Sequence, residues 1–267
     1  MEIIEIALVF AFVVWVIGYL WAGIIEPIYM HFFKKPVYIH WSVFKKRITL
    51  EQLNVLERES QFYNQLSLKK KEYFEHRVHY FITNYEFEGR EGFHITDDVK
   101  VSLAATYVML TFGMRNYKIN VFTKIIIYPS VYFSTRNEEY HKGEFNPKMK
   151  VIVFSWEDFI QGNKDKEDNL NLGLHEFAHA LHFHCVKYKD SSAIIFAQGY
   201  QEIKKYVNNP ENQKLLLEKK YFRAYAFVNP VEFIAVILEY FFETPEDFKS
   251  NFPLLYRKVS IMINHKS

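Results

Sequence analysis

The feature that most constrains the fold is a run of 20 uncharged, mostly apolar residues near the N-terminus, Ile6–Ile25. At about 1.5 Å per residue, a helix of this length spans the roughly 30 Å hydrocarbon core of a bilayer. A cleaved signal peptide would carry a basic leader, but this leader carries Glu2 and Glu5, and no small-residue cleavage site precedes Pro27. A buried core helix is the other interpretation. A run that is apolar on every side suits lipid better, so the sequence predicts one membrane-spanning helix.

The charges that flank this run predict its orientation. No lysine or arginine precedes it, whereas cations follow at Lys34, Lys35, Lys45, Lys46 and Arg47. Positive flanks stay on the cytoplasmic side, and the single cysteine favours a reducing compartment because it allows no intrachain disulfide. We therefore expect a single-pass protein of the cell membrane. An anchor and connector would occupy residues 1–36, and a cytoplasm-facing domain would occupy residues 37–267.

The remainder of the chain has the composition of a globular α+β domain. Hydrophobic residues make up 49% and charged residues 24%, and a net charge of +2 gives no basic footprint for a nucleic-acid partner. Three helices are predicted first, from a capping box at Thr49 and Gln52 to about Leu66, over Ser67–Tyr85, and from Thr96 to a stop at Gly113. Strands are then predicted over Lys124–Tyr128, Val131–Phe133 and Lys150–Phe154. Further helices are expected over Ala193–Val207, Pro230–Phe242 and Phe252–Asn264.

The chemistry of this domain is indicated by His175-Glu176-Phe177-Ala178-His179, an H-E-x-x-H motif within an apolar-periodic run. On a helix, His175 and His179 lie one turn apart on the same face, so both imidazoles can bind one divalent ion. Glu176 can then hold a metal-bound water, whose pKa a zinc ion lowers from about 15.7 to about 7. The motif predicts a zinc metallopeptidase. Such enzymes bind the substrate backbone along an edge strand, for which Lys150–Phe154 and Val131–Phe133 are the candidates.

A catalytic zinc site needs a third protein ligand. The metzincin pattern would require Gly at position 182 and His at position 185, but the chain has His182 and Cys185, which excludes that class. His182 and His184 follow on the same helix, where a third ligand rarely closes a tetrahedral site. We expect neither of them to bind the metal.

Better candidates for the third ligand lie on the apolar helix that begins near Pro230. Glu232 and Glu239 interrupt this helix two turns apart on one face. A carboxylate in so apolar a helix needs a partner, and a metal ion is one. The alternative is that both reach solvent or a cation such as Arg223. The residues alone leave Glu232 and Glu239 as equal candidates.

The motifs together resemble the Mlc titration factor A family of glucose-regulated zinc peptidases of the gluzincin type. The matching segments are Phe87-Glu88-Gly89, Ile95-Thr96, Ile127-Tyr128-Pro129, Val153-Phe154-Ser155-Trp156, the H-E-x-x-H motif, Asn229-Pro230-Val231-Glu232-Phe233, Glu239-Tyr240-Phe241-Phe242 and Pro245. The resemblance implies a mainly helical, zincin-like domain with a small mixed sheet. It also implies one zinc ion bound by His175, His179 and Glu232, with Glu176 as general base and Tyr225 as donor to the oxyanion. Glu239 would then orient a ligand histidine.

The resemblance implies hydrolysis of peptide or protein substrates, with an aminopeptidase-like mode as one option. Its rival implication is a regulatory protein that sequesters a transcriptional regulator, with peptidase activity secondary or lost. Two departures concern substrate recognition, because Leu181-His182 replaces the usual Leu-Asp and Lys187–Ser192 replaces a segment with glycine and proline. Multi-span membrane peptidases with an E-x-x-x-D ligand motif fit less well, since Val236 stands where the aspartate would be.

Overall fold

The computed structural model describes residues 2–42, 44–134 and 138–265. These residues form a mainly helical α+β structure with a small mixed sheet, as the sequence predicts. The helices are α1 (Glu2–Leu20), α2 (Glu26–Phe33), α3 (Leu50–Glu59), α4 (Gln61–Asn64), α5 (Leu68–Asn84), α6 (Asp97–Thr111), α7 (Trp156–Lys164), α8 (Leu172–Lys187), α9 (Ser191–Asn208), α10 (Pro210–Lys219), α11 (Pro230–Glu243), α12 (Pro245–Asn251) and α13 (Pro253–Met262). The strands are β1 (Glu86–Gly89), β2 (Lys124–Tyr128), β3 (Tyr132–Ser134), β4 (Glu139–His141), β5 (Gly143–Asn146) and β6 (Val151–Ser155).

The N-terminal apolar run forms a helix that leaves the rest of the protein. A π-helical turn, Trp21–Ile25, joins α1 to α2, so that Ile3–Phe33 is one helix of 31 residues. No residue of its most apolar 18-residue stretch is buried, whereas Met30, near the end of the helix, is only 8% exposed. The helix is long and apolar enough to cross a membrane, a property that a signal sequence shares. The division between residues 36 and 37 stays a prediction.

The four-stranded sheet has the order β1-β2-β6-β5, with β1, β2 and β6 parallel and β5 antiparallel at the edge. Of the two candidate edge strands, Lys150–Phe154 is excluded, because Val151–Ser155 pairs on both sides and is buried throughout. A strand paired and covered in this way reads as a continuous apolar run, which explains its sequence. The other candidate, Val131–Phe133, contributes to β3, which pairs only with β4 in a separate ribbon. The edge strand beside α8 is β5, which the sequence did not indicate.

The helices before the sheet follow the predicted signals with one correction. The capping box at Thr49 and Gln52 is present, but the helix ends at Glu59 rather than near Leu66. Ser60 adopts an extended conformation there, and its hydroxyl accepts a hydrogen bond from the backbone N–H of Tyr63 to begin α4. The segment Glu86–Gly89, for which no strand is predicted, forms β1 and pairs with β2 in parallel.

The motif helix α8 lies between the sheet and α11, and its rotation is fixed by Phe177. This ring is fully buried, and the aromatic rings around it lie 5.4–6.2 Å away, contributed by Phe81, Tyr107, Phe122 and Phe154. Since residues two apart on a helix point in widely different directions, burying Phe177 turns His175 and His179 away from this aromatic cluster. The apolar position inside the motif therefore orients its polar positions.

Candidate metal centre

Three side chains converge on one point between α8 and α11. The donor atoms of His175, His179 and Glu232 all lie within 4.8 Å of one another. His175 Nε2 is 3.1 Å from His179 Nε2 and 3.1 Å from Glu232 Oε2, and His179 Nε2 is 3.4 Å from the same oxygen. The structure therefore brings together the two histidines of the motif and the first of the two candidate carboxylates.

These separations match the geometry that zinc requires. Zinc binds imidazole nitrogen and carboxylate oxygen at about 2.0–2.2 Å in a tetrahedral arrangement. The edge of such a tetrahedron, from donor to donor, is about 3.3–3.5 Å long. The three observed distances lie within a few tenths of an ångström of that value. The residues thus fit one zinc ion with a fourth position left for water.

Helix caps hold the two helices in register at this point. Asn171 directly precedes α8, and its side-chain oxygen accepts a hydrogen bond from the backbone N–H of Leu174 at 2.9 Å. Asn229 directly precedes α11, and its side-chain oxygen accepts hydrogen bonds from the backbone N–H groups of Val231 and Glu232 at 2.8 and 3.0 Å. These bonds satisfy donors that a helix start would otherwise leave free. The cap therefore fixes Glu232 in the first turn of its helix.

The second carboxylate of α11 orients the first histidine. Glu239 is 1% exposed, and its Oε1 lies 2.7 Å from Nδ1 of His175. Because a carboxylate only accepts, Nδ1 carries the proton and Nε2 is left to bind a metal. Arg223 donates to both oxygens of Glu239, at 2.6 and 3.0 Å, and the backbone N–H of Asn171 donates at 2.9 Å. The sequence offered Arg223 only as an alternative partner, and it gave no signal for Asn171.

Glu176 lies beside the three donors without belonging to them. It is 6% exposed, and burial raises the pKa of its carboxyl group above the ordinary value, against the lowering influence of His175 and His179. The backbone of Phe145 in β5 lies close to this carboxyl group and also acts to lower its pKa. The strand can approach so closely because of Gly143, where a Cβ atom would lie 2.9 Å from Cγ of Glu176.

Tyr225 stands at the open side of the site, in a 3₁₀ turn over Ala224–Phe227. Its ring centroid is 5.9 Å from that of His175, and about half of the residue is exposed. Burial of the remainder and the neighbouring Glu232 raise the pKa of the phenol to about 12. The hydroxyl therefore stays protonated at neutral pH and can donate a hydrogen bond.

Burial and the neighbouring charged groups also shift the pKa values of the groups that would bind a metal. Burial lowers the pKa of His175, but its hydrogen bonds to Glu232 and Glu239 outweigh burial and raise the pKa to about 10. Burial acts to raise the pKa of Glu232, but His175 and His179 outweigh it and hold this pKa below its usual range. A metal ion that binds here replaces a proton shared among these groups, so metal affinity will rise with pH.

The other histidines and the cysteine of α8 lie outside the group formed by His175, His179 and Glu232. His182 packs its ring 4.6 Å from that of Tyr200, and His184 Nε2 lies 3.1 Å from a carboxylate oxygen of Asp190 at the start of α9. Cys185 is 2% exposed, and burial raises the pKa of its thiol well above the ordinary value. Its thiolate form is therefore suppressed.

Two imidazoles and a carboxylate that can bind a metal, beside a second, buried carboxylate directly after the first imidazole, are the arrangement typical of a metallopeptidase. The chain belongs to the glucose-regulated metallo-peptidase family M90, whose model matches residues 38–262. It is similar to an uncharacterized protein of Synechocystis sp., with 24% identity over 94% of both chains. It is also 25% identical to Mlc titration factor A of Yersinia pestis, over 62% of this chain and 67% of that protein. The family predicted from the motifs is confirmed.

Proposed function

We propose that this protein is a membrane-anchored, zinc-dependent peptidase whose ligands are His175, His179 and Glu232. The observation that carries the proposal is the spacing of the three donor atoms, which is that of a tetrahedral zinc site, beside a buried Glu176. Zinc supplies Lewis acidity and lowers the pKa of a bound water. Glu176 takes a proton from the attacking water and passes it to the leaving amine. Tyr225 donates a hydrogen bond to the carbonyl oxygen as negative charge develops on it.

The position of β5 supports binding of the substrate as an extended strand. Among the residues that the structure describes, this strand pairs only with β6, and its Gly143 packs against the side chain of Glu176. A peptide that added itself to this free edge would bring its backbone carbonyls past the metal site. The motif helix beneath a mixed sheet with such an edge strand also supports the zincin-like fold that the family resemblance implies.

The N-terminal helix supports attachment of this peptidase to the cell membrane. Its apolar window is unburied, and the cations that follow it favour a peptidase domain in the cytoplasm. A single pass through the bilayer would leave the whole α+β domain on one side.

The test uses the full chain in nanodiscs with a Glu176→Gln variant. We expect one zinc ion per chain in both proteins, because Glu176 is outside the ligand set, and a loss of at least about 100-fold in peptide cleavage in the variant. Glu157→Gln, an exposed glutamate of α7, is the matched control and should cleave normally. Full activity in Glu176→Gln would rule out the mechanism. Comparing peptides with free and acetylated N-termini tests whether cleavage proceeds from the amino end.

A second function is favoured by the name of the Yersinia relatives, Mlc titration factor A. This chain would then hold a transcriptional regulator at the membrane, with proteolysis secondary. The two functions separate in the Glu176→Gln protein, which should still capture such a partner and complement a deletion if binding is the role. Loss of complementation together with cleavage would favour the peptidase.

A further inference from the structure

One side chain connects the N-terminal helix to the far end of the metal-binding helix. Arg115, in the loop after α6, forms an ion pair with Glu26, the first residue after the apolar run. Its other terminal nitrogen donates to the hydroxyl of Ser191 at 2.6 Å. Ser191 is the first residue of α9, directly after the α8–α9 corner. The corner therefore lies one arginine side chain away from the point where the anchor leaves its apolar segment.

The α8–α9 corner exposes a surface that is both apolar and cationic. Val186 is 67% exposed and Tyr188 is 38% exposed, and the two alternate with the exposed Lys187 and Lys189. Within the described residues neither lysine forms an ion pair, and Lys187 Nζ lies only over the ring of Tyr188 at 5.6 Å. The one acidic residue of the corner, Asp190, is engaged by His184 and by the backbone at the start of α9.

We propose that the corner Val186–Lys189 rests on the surface of the membrane that carries the anchor and binds anionic phospholipid headgroups. The inference rests on the membrane attachment proposed above. Lysines with an adjacent aromatic ring and an exposed aliphatic residue suit the interface between headgroups and acyl chains. The cytoplasmic leaflet carries a negative surface potential, which matches the uncompensated charge of Lys187 and Lys189.

This contact would keep the metal site close to the bilayer surface. His179 precedes Lys187 by eight residues on α8, so the two are separated by about 12 Å along the helix axis. Measured along the axis of α8, the metal centre thus lies about 12 Å from the corner, whereas Leu170, just before the other end of α8, lies about 25 Å from it. A site held at this height reaches polypeptide segments that run close to the membrane surface. The substrate class that follows is the juxtamembrane segment of another membrane protein.

The contact can be tested with a fluorophore at each end of α8 in the full chain. Val186→Cys and its matched control Leu170→Cys are each made with Cys185→Ser, labelled with an environment-sensitive dye and reconstituted in nanodiscs. The nanodiscs contain phosphatidylcholine with or without phosphatidylglycerol, and a lipid spin-labelled in its headgroup serves as quencher. We expect several-fold stronger quenching at position 186 than at position 170, and more with phosphatidylglycerol than without.

Charge reversal tests the role of the lysines. Lys187→Glu with Lys189→Glu should reduce quenching at position 186 to the level at position 170, whereas Lys164→Glu with Lys166→Glu, near the other end of α8, should not. Equal quenching at positions 186 and 170 in a chain that floats with the nanodiscs would overturn the contact and leave the anchor standing. A chain that fails to enter nanodiscs would overturn both. Neither readout depends on zinc or on cleavage, so the peptidase proposal stands or falls separately.

Discussion

Two helices of this protein are apolar on nearly every side and lie in opposite surroundings. The N-terminal helix exposes its side chains, with Phe10 at 70% and Trp15 at 64% of full exposure. In α11, Val236, Ile237 and Leu238 are completely buried. Hydrophobicity alone predicts only that each helix avoids water, and it does not predict whether lipid or protein replaces the water.

The two helices differ in where their carboxylates lie. The apolar run of the N-terminal helix contains no charge between Glu5 and Glu26. The interior of α11 contains Glu239, which is held by Arg223 and His175, and its first turn contains Glu232. A buried carboxylate requires partners that only a protein or a metal provides, since lipid offers none. Embedded acids therefore mark an apolar helix as part of a protein interior, and here they also mark the site.

The largest effect should come from removing the carboxylate of α11 that completes the donor set. We expect Glu232→Ala to reduce zinc content from one ion per chain to background and to abolish cleavage. The loss of metal affinity should be larger than the loss of about 10–100-fold that is typical when a partner of a metal ligand is removed. Elemental analysis after dialysis against a weak chelator measures it. Glu246→Ala, an exposed carboxylate of α12, is the control, and retention of zinc by Glu232→Ala would exclude Glu232 as a ligand.

The next effect concerns the other carboxylate, through its partner Arg223. Arg223→Met leaves Glu239 as a buried charge without its strongest partner, and the free energy of unfolding should fall by about 3–5 kcal/mol. Thermal unfolding of the full chain in chelator measures the loss. Arg223→Lys should recover part of it, because it restores the charge but not the two-pronged contact. An unchanged melting temperature in Arg223→Met would mean that Glu239 is stabilised by other groups.

The sequence predicted those parts of the structure that depend on strong local patterns. Strand Lys124–Tyr128 is confirmed residue for residue, and the helix predicted over Pro230–Phe242 is only one residue longer. Strand Gly143–Asn146 was missed because four residues with no alternation carry no strand signal. Short polar helices such as Pro210–Lys219 were missed for a similar reason.

The residues of the site also differ in whether local sequence or long-range packing determines their positions. His175, Glu176 and His179 form one short motif, so their proximity follows from helix geometry. Glu232 and Glu239 are two turns apart on one face, and the local sequence did not indicate which of them would bind the metal. Only the packing of α11 against α8 places one carboxylate near Nε2 of His175 and the other near Nδ1. The family resemblance implies that Glu232 is the ligand, and Glu232 is the carboxylate that lies beside Nε2 of His175.

A charge placed in the N-terminal helix sharpens the comparison from the other side. Val13→Arg places a cation near the middle of the apolar run, at a cost of about 2.5–3.5 kcal/mol for membrane insertion. The fraction of the chain that resists carbonate extraction from membranes should fall, while Val13→Leu should behave as wild type. If Val13→Arg changed neither extraction nor the flotation of the chain with vesicles, the helix would not be an anchor.

The smallest effect concerns the last carboxylate of α11. Burial raises the pKa of Glu243 to about 8, although Asn171 donates a hydrogen bond to its carboxyl group at 3.0 Å. In an unfolded chain the pKa of a glutamate is about 4.3. Between these values the folded state keeps a proton that the unfolded state has lost, so the contribution of Glu243 to stability is lost as the pH rises toward 8. Glu243→Gln resembles the protonated form and should be close to wild type in stability at pH 4.5. At pH 8.5 it should be more stable by roughly 2 kcal/mol, which is less than the about 5 kcal/mol of the full pKa difference because the residue is partly exposed to solvent. Melting temperatures at both pH values, with Glu246→Gln as control, measure the difference. A variant that is equally stable relative to wild type at both pH values would place the Glu243 carboxylate in water rather than in the interior of the protein.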